Sequence, residues 1–113
     1  MNSFPEFMKH SSKRIHASQQ NTQDIEGYYC ESVDGSQMAY WEYHSERTSS
    51  KHTHRFDEYM VCVGGEYTVY MNDREFVLRP GDELFIPKGT EQSGKCKAGT
   101  RTIHAFGGAR IKC

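Results

Sequence analysis

Apolar and polar residues alternate in short runs along most of the chain, from residue 28 onward. Such alternation is typical of β-strands whose two faces meet different environments. The runs are YYCESV (28–33), QMAYWEYH (37–44), EYMVCV (58–63), EYTVYM (66–71), EFVL (75–78), ELFIP (83–87), EQSGKC (91–96) and RTIHAF (101–106). About eight short strands without a helix predict an all-β sandwich or small barrel.

Turn signals separate these runs and predict how they connect. Asp34-Gly35, Gly64-Gly65 and Asn72-Asp73 are residue pairs that favour tight turns, because each offers a backbone that tolerates positive φ. The last two runs are predicted to form a hairpin that turns about Ala98. In that register Gln92 lies directly opposite His104 and shares a face with it.

The beginning of the chain has a different composition. Residues 1–24 are rich in Ser, Gln, Asn, Lys and His and show no apolar period, so they are predicted to form a flexible arm. Residues 25–113 then form a single barrel domain. A chain of 113 residues is long enough for one core of this kind and not for a second domain.

Charge and composition narrow the classes of partner. Fourteen Lys and Arg against fifteen Asp and Glu, without a basic run, argue against nucleic-acid binding. No run approaches the roughly 20 apolar residues of a membrane span, and the N-terminus lacks the apolar middle of a secretory signal, so we expect a cytoplasmic protein. The four cysteines form no CxxC pair and are expected to be reduced thiols. The expected partners are a small molecule or a second copy of the chain.

The segment KHTHRFDE (51–58) carries the pattern of a metal site. His52 and His54 are two residues apart, so a strand projects both imidazoles from one face. A bend after His54 allows Glu58 to point at the same place. Two imidazoles and a carboxylate form the facial triad of non-haem iron sites, which leaves positions open for substrate. The alternative is a solvated polar loop between two strands.

The spacing around this segment resembles the two motifs of the cupin family. Six residues separate Glu58 from Gly65, five separate Gly81 from Pro87, and one separates Pro87 from Gly89. The resemblance extends from about residue 37 to residue 106. It implies a double-stranded β-helix, which is a jelly-roll barrel with the metal inside its mouth.

The chain departs from the family pattern at three positions. Glu46 stands in place of the first glycine and Cys96 in place of the final asparagine. Gln92 stands where the family has its third histidine ligand, and a glutamine is a weaker, neutral ligand. His104, predicted opposite Gln92, is a candidate to supply the missing imidazole or to hydrogen-bond Gln92. The alternative for His104 is a partly buried histidine that a backbone group satisfies.

Alternation predicts which other side chains line the barrel. Met60 and Cys62 share the face of Glu58, and Thr102 and Phe106 share the face of His104. The alternative is that these residues are simply core. In the aromatic run 39–43 one face must belong to the core and the other is free for a subunit interface, but the sequence does not say which.

The resemblance implies two functions. The first is a metal-dependent enzyme that uses Fe, Mn, Ni or Zn for dioxygenase chemistry or for isomerase or lyase chemistry on a small sugar or keto acid. Glu58 is then the most plausible catalytic proton acceptor, and His52, His54, Glu58, Gln92 and His104 are the candidate ligands. The second is a non-catalytic cupin that binds a metabolite or metal, which Gln92 supports. The family also implies a homodimer.

Overall fold

A computed structural model gives the fold of residues 3–16 and 25–112, and the predicted arm residues 17–24 lie outside the described residues. Two short 3₁₀ turns, Glu6–Met8 and Ser11–Lys13, precede the strands. The strands are β1 (Ile25–Glu31), β2 (Gln37–Tyr43), β3 (Arg47–Thr48), β4 (Glu58–Gly64), β5 (Tyr67–Met71), β6 (Arg74–Leu78), β7 (Glu83–Ile86), β8 (Ser93–Cys96) and β9 (Thr100–Phe106). The predicted all-β class is confirmed.

The strands form two antiparallel sheets that face each other. The larger sheet has the order β1-β2-β9-β4-β7 and the smaller one β3-β8-β5-β6. Strands that are neighbours in a sheet are mostly distant in sequence, which is the topology of a jelly-roll barrel. None of the helices among the described residues has the length and apolar character needed to cross a membrane.

The predicted turns occur where the backbone requires them. Asn72 and Asp73 have φ of 53° and 57° and join β5 to β6, as a type I′ hairpin turn needs. Gly65 has φ of 72°, and a Cβ there would lie 2.6 Å from the Cα of Thr100. Only glycine fits at that position, because it is both left-handed and closely packed.

Alternation along β2 decides which aromatic side chains enter the barrel. Trp41 and Tyr43 point inward and pack with Cys96 and Phe106 in the core. Tyr40 points outward, where Tyr28 stacks on it with ring centres 5.9 Å apart. The structure therefore answers the question that the sequence left open.

The outer face at Tyr40 is covered by the beginning of the chain. Phe4 is 6% exposed and contacts the Tyr40 ring edge-on, and Tyr40 donates a hydrogen bond to the carbonyl of Met8. Ile15 is 1% exposed and its amide bonds the carbonyl of Gly27. The prediction of an arm outside the core is therefore corrected at Phe4 and Ile15. Ile15 stands alone between polar residues, and Phe4, Phe7 and Met8 are too few to form a period that a sequence pattern can detect.

The predicted terminal hairpin is wrong. β8 pairs with β3 and β5, whereas β9 pairs with β2 and β4, so the loop after Cys96 carries the chain from one sheet to the other. Gln92 consequently pairs with His52, not with His104. A short Gly-containing loop looks the same in sequence whether it closes a hairpin or turns a corner between sheets.

Candidate functional site

A cavity of about 360 Å³ opens into the barrel, and residues of both sheets line it. All five predicted metal ligands contribute to its wall, together with two of the four side chains predicted to line it. These residues are His52, His54, Glu58, Gln92, His104, Met60 and Phe106. Three of the other candidate ligands, His54, Gln92 and His104, contact Glu58 directly.

Glu58 is a buried carboxylate, only 4% exposed, at the start of β4. His104 Nδ1 lies 2.8 Å from its Oε2, and the Gln92 side-chain amide donates to its Oε1 at 3.1 Å. Burial alone raises the pKa of this carboxyl, but the hydrogen bonds from His104 and Gln92 outweigh it and leave the pKa below its ordinary value. Glu58 is therefore a charged group at the cavity wall.

His54 stands on the other side of the same carboxylate. Its Nε2 lies 3.5 Å from Glu58 Oε1, and its ring stacks on Phe56 with ring centres 5.3 Å apart. Burial lowers the pKa of His54 below its ordinary value, despite the opposing effect of Glu58. His54 is thus held as the neutral imidazole, which is the form that binds a metal ion.

His52 is exposed at the mouth of the cavity. Its backbone exchanges two hydrogen bonds with Gln92, at 2.8 and 2.9 Å, which fixes the strand-like segment in place. Its Nδ1 lies 3.0 Å from the carbonyl oxygen of Ser50, and because a carbonyl can only accept, Nδ1 carries the hydrogen. The Nε2 lone pair is then available as a ligand.

The positions of these donors fit a metal ion except for one side chain. Two donors on a tetrahedral ion with bonds of about 2.1 Å lie roughly 3.4 Å apart, and the rings of two such imidazoles have centres roughly 5.2 Å apart. His54 and Glu58 are 3.5 Å apart, and the His52 and His54 ring centres are 5.0 Å apart. Among the described residues, however, the ligand atoms of these three side chains do not all lie within 4.8 Å of one another. Because His54 and Glu58 are close, His52 must be the member that lies farther away.

Glu26, Glu42 and His44 form such a compact group on the outer face of the large sheet. A cation of the chain already occupies it. Lys9 Nζ lies 3.0 Å from Glu42 Oε1 and 3.8 Å from Glu26 Oε2. A metal ion there would have to displace this lysine, so we assign the cluster to the packing of the N-terminal segment.

His104 connects Glu58 to further polar groups behind the cavity wall. Its Nε2 lies 2.9 Å from Thr102 Oγ1, and Thr102 Oγ1 lies 3.3 Å from the hydroxyl of Tyr43. Both ring nitrogens of His104 are therefore engaged within the chain. The Trp41 ring meets His104 edge-on with ring centres 5.0 Å apart, which fixes the imidazole plane.

The four side chains predicted to line the barrel fall into two groups. Met60 and Phe106 line the cavity, whereas Cys62 and Thr102, each 0% exposed, do not reach its wall. Burial raises the pKa of the Cys62 thiol above its ordinary value, so Cys62 stays protonated in the core. Cys30 and Cys96 are free thiols as well, and Cys113 lies outside the described residues.

Seven further residues of the cavity wall were missed by the sequence analysis as site residues. They are Trp41, Tyr43, Arg47, Ser49, Ser50, Tyr67 and Arg110. Alternation in β2 places Trp41 and Tyr43 on one face but does not identify that face as the inner one. Arg47 belongs to a strand of two residues and Arg110 follows the last strand, so no periodic pattern marks either residue.

Comparison with solved structures supports the fold. An RmlC-like cupin from Shewanella frigidimarina is 19% identical with a TM-score of 0.73, and the match covers 92% of this chain and 86% of that one. KdgF from Halomonas sp. is 17% identical with a TM-score of 0.68, covering 75% and 79%. A variant of oxalate decarboxylase from Bacillus subtilis is 15% identical with a TM-score of 0.68, covering 80% of this chain and 27% of that one. At these identities the likeness shows the fold alone.

Comparison with curated proteins finds no match. The family model described as the cupin domain matches residues 39–102, which is more than half of the chain. This match begins in β2 and ends in β9, so it includes the segment of His52 and His54 and the position of Gln92. Together with the two-sheet topology and the donors at the barrel mouth, it shows that the chain belongs to the cupin family.

Proposed function

We propose that this cupin binds a divalent transition metal at the barrel mouth and acts there as an enzyme on a small molecule. The observation that carries the proposal is the buried, charged Glu58 carboxylate beside the neutral imidazole of His54, at 3.5 Å, on the wall of a cavity. A carboxylate and neutral imidazoles are the protonation states that a metal site requires.

His52, His54 and Glu58 would hold the ion. The exposed His52 would have to bring its Nε2 toward the other two donors to complete the site. An ion held there would supply Lewis acidity to an oxygen atom of a bound molecule. Imidazole and carboxylate ligands suit Fe, Mn, Ni or Zn, and cellular availability decides among these metals.

The chain itself offers a route for a proton beside this position. Glu58, His104, Thr102 and Tyr43 are joined in one line of contacts of 2.8, 2.9 and 3.3 Å. Such a line can take a proton at Glu58 or His104 and reorganise its hydrogen bonds as far as the Tyr43 hydroxyl. This favours isomerase or lyase chemistry, in which a proton moves within the substrate, over the dioxygenase chemistry also implied by the family.

A non-catalytic binding protein is the second candidate, and one contact favours it. The Gln92 amide donates to Glu58 Oε1, which is the oxygen that faces His54. This hydrogen bond competes with metal binding at that oxygen. If it persists, the cavity binds its small molecule without a metal.

Metal analysis tests whether the cavity binds a metal ion, which the enzyme candidate requires and the metal-free binding protein does not. We expect protein purified without added metal, or titrated with Mn²⁺, Ni²⁺ and Zn²⁺ by calorimetry, to bind one ion per chain, and a His52→Ala/His54→Ala double variant to lose it. A His10→Ala/His16→Ala double variant is the matched control, because it removes two exposed imidazoles outside the cavity. Failure of all these ions to bind the wild type would leave the non-catalytic candidate.

We also propose that the active form is a homodimer. One row of residues crosses the outer face of the large sheet strand by strand, through the pairs Cys30–Met38, Met38–Ala105, Ala105–Tyr59 and Tyr59–Phe85. Met38, Tyr59 and Phe85 are 50%, 40% and 53% exposed. Ala105 lies in β9, the central strand of the sheet. A two-fold axis that passes through Ala105 would therefore pack this row against the same row of a second copy, running in the opposite direction.

Sedimentation tests the dimer directly. The wild type is expected to sediment as twice the mass of one chain, and a Phe85→Glu variant as a monomer. Val33→Glu is the control, because Val33 is exposed but lies in the turn after β1. A monomeric wild type at micromolar concentration would reject the dimer.

A further inference from the structure

We propose that the cavity recognises a small organic carboxylate, with the guanidinium groups of Arg47 and Arg110 binding its anionic end. This inference rests on the proposed function in that it uses the same cavity and names the substrate class. Binding of the carboxylate does not itself require the metal.

Arg47 has a hydrogen-bond donor that the chain leaves unused. Its Nε is buried and has no hydrogen-bond partner. Among the described residues, Arg47 forms no ion pair with an Asp or Glu side chain. Its guanidinium lies over the Tyr43 ring at 5.9 Å and lines the cavity. A buried donor without an acceptor is costly, and a rotation of the guanidinium toward the cavity would let a ligand oxygen satisfy it.

Arg110 brings a second guanidinium to the same wall. It follows β9 in the chain, and burial lowers its pKa from the ordinary value although the charge of Glu58 partly compensates. An arginine nevertheless remains charged in a protein. Its planar guanidinium matches both oxygens of a carboxylate, so it can bind an anion in the cavity beside Arg47.

The charges around the cavity are unequal. Its lining contains two arginines but only one acidic residue, Glu58, and Glu58 is already held by His104 and Gln92. Such an excess of positive charge attracts an anion. A metal ion at the proposed site would increase this excess.

The remaining wall indicates what else the ligand carries. Burial raises the pKa of Tyr67 to about 12 and that of Tyr43 well above its ordinary value, so both phenols stay neutral. Neutral hydroxyls can donate to ligand oxygens, while the rings of Trp41 and Phe106 provide apolar walls. A volume of about 360 Å³ lies in the range of small-molecule sites. The ligand class is therefore a small hydroxy or keto carboxylate.

The chain contains a built-in reporter for this test. Trp41 is the single tryptophan of the sequence and lines the cavity. Its fluorescence is followed while metal-free protein is titrated with glucuronate, with pyruvate, and with glucose as the neutral counterpart of glucuronate. The same titrations are repeated after addition of Zn²⁺.

We expect saturable binding of at least one of the two carboxylates at millimolar concentration and none of glucose. Arg47→Gln and Arg110→Gln should each weaken carboxylate binding by about tenfold or more. Arg74→Gln, which removes an exposed guanidinium outside the cavity, should leave binding unchanged. Absence of binding by both carboxylates, equal binding of glucose and glucuronate, or unchanged binding in Arg47→Gln would overturn the proposal.

Metal titration of the same variants keeps this proposal separate from the proposed function. Arg47→Gln should bind Zn²⁺ as the wild type does, because Arg47 is not one of the proposed ligands. Carboxylate binding without metal binding would reject the metal site and retain the anion site. Metal binding without carboxylate binding would reject the anion site and retain the metal site.

Discussion

Two buried glutamates on opposite faces of the large sheet have different partners. Glu42, 5% exposed on the outer face, is bonded by Lys9, by the hydroxyl of Ser3 and by the amide of Phe4. Glu58, 4% exposed on the inner face, is bonded by the imidazole of His104 and the amide of Gln92. The outer carboxylate is neutralised by a lysine of the same chain. The inner carboxylate is held by an imidazole and an amide, and its charge acts on the guanidinium of Arg110.

Under the proposed function, this difference separates the candidate metal site from the structural cluster. The compact group of Glu26, Glu42 and His44 fulfils the distance condition but contains its own cation, Lys9. The group of His52, His54 and Glu58 is looser but faces a cavity and keeps its negative charge available. If the proposal is right, available charge rather than donor distance distinguishes Glu58 from Glu42.

The largest expected effect is on metal affinity. Glu58→Gln should lower the affinity for Zn²⁺ by about 100-fold or more, because it removes the proposed anionic ligand and its charge. Calorimetric titration measures this change. Glu42→Gln is the matched control and should bind Zn²⁺ as the wild type does, and equal losses in both variants would contradict the distinction between the two sites.

The next effect is on stability, and here Glu42→Gln should have the larger effect and Glu58→Gln the smaller one. Glu42→Gln should lower the free energy of unfolding by about 2 kcal/mol, because the largely buried Lys9 loses its closer carboxylate and keeps only Glu26 at 3.8 Å. Glu58→Gln should change it by less than about 1 kcal/mol, because an amide can retain one of the two hydrogen bonds and no lysine is left unpaired. Urea denaturation measures both. A Lys9→Met/Glu42→Gln double variant should recover much of the loss, and failure to do so would reject the ion pair as its cause.

A smaller effect concerns how the free energy of unfolding changes at low pH. Burial raises the pKa of Glu42, but the hydrogen bonds from Phe4, Ser3 and Lys9 outweigh it and leave the pKa below its ordinary value. A lowered pKa means that the stabilisation is present above the unfolded pKa and is lost as the pH falls through the folded pKa. The stability of the wild type should therefore fall more steeply below about pH 5 than that of Glu42→Gln. Parallel curves from denaturation at several pH values would count against this account.

The smallest effect is expected at His44. This side chain is 55% exposed and lies 3.2 Å from Glu26. His44→Ala should change the free energy of unfolding by less than about 0.5 kcal/mol and leave metal binding unchanged, because an exposed ion pair contributes little. Loss of a bound ion in this variant would place the metal on the outer face.

The sequence predicted most of the fold because the strands alternate and the turns have distinctive residues. The predicted runs 37–44, 58–63 and 83–87 agree with β2, β4 and β7 to within one residue at each end. The candidate ligands could be grouped because alternation and the motif spacing fix which side of a strand they occupy. Both Gln92 and His104 do reach Glu58.

Features that depend on packing between distant segments could not be predicted in the same way. The corner between β8 and β9 has the local sequence of a hairpin, so the predicted register of Gln92 and His104 was wrong. Phe4 packs against Tyr28 and Tyr40 on the outer face, and its own sequence neighbourhood does not indicate this contact with distant strands. Arg47 and Arg110 meet at the cavity only through the closure of the barrel.

The most direct test of the account is to locate the bound ion. Crystals grown with Zn²⁺ and measured at its absorption edge give an anomalous difference map that shows each zinc position. We predict one strong peak at the barrel mouth, within bonding distance of His52, His54 and Glu58, and none beside Lys9. A peak among Glu26, Glu42 and His44, or no peak at the barrel mouth, would contradict the central claim that Glu58 is the functional carboxylate.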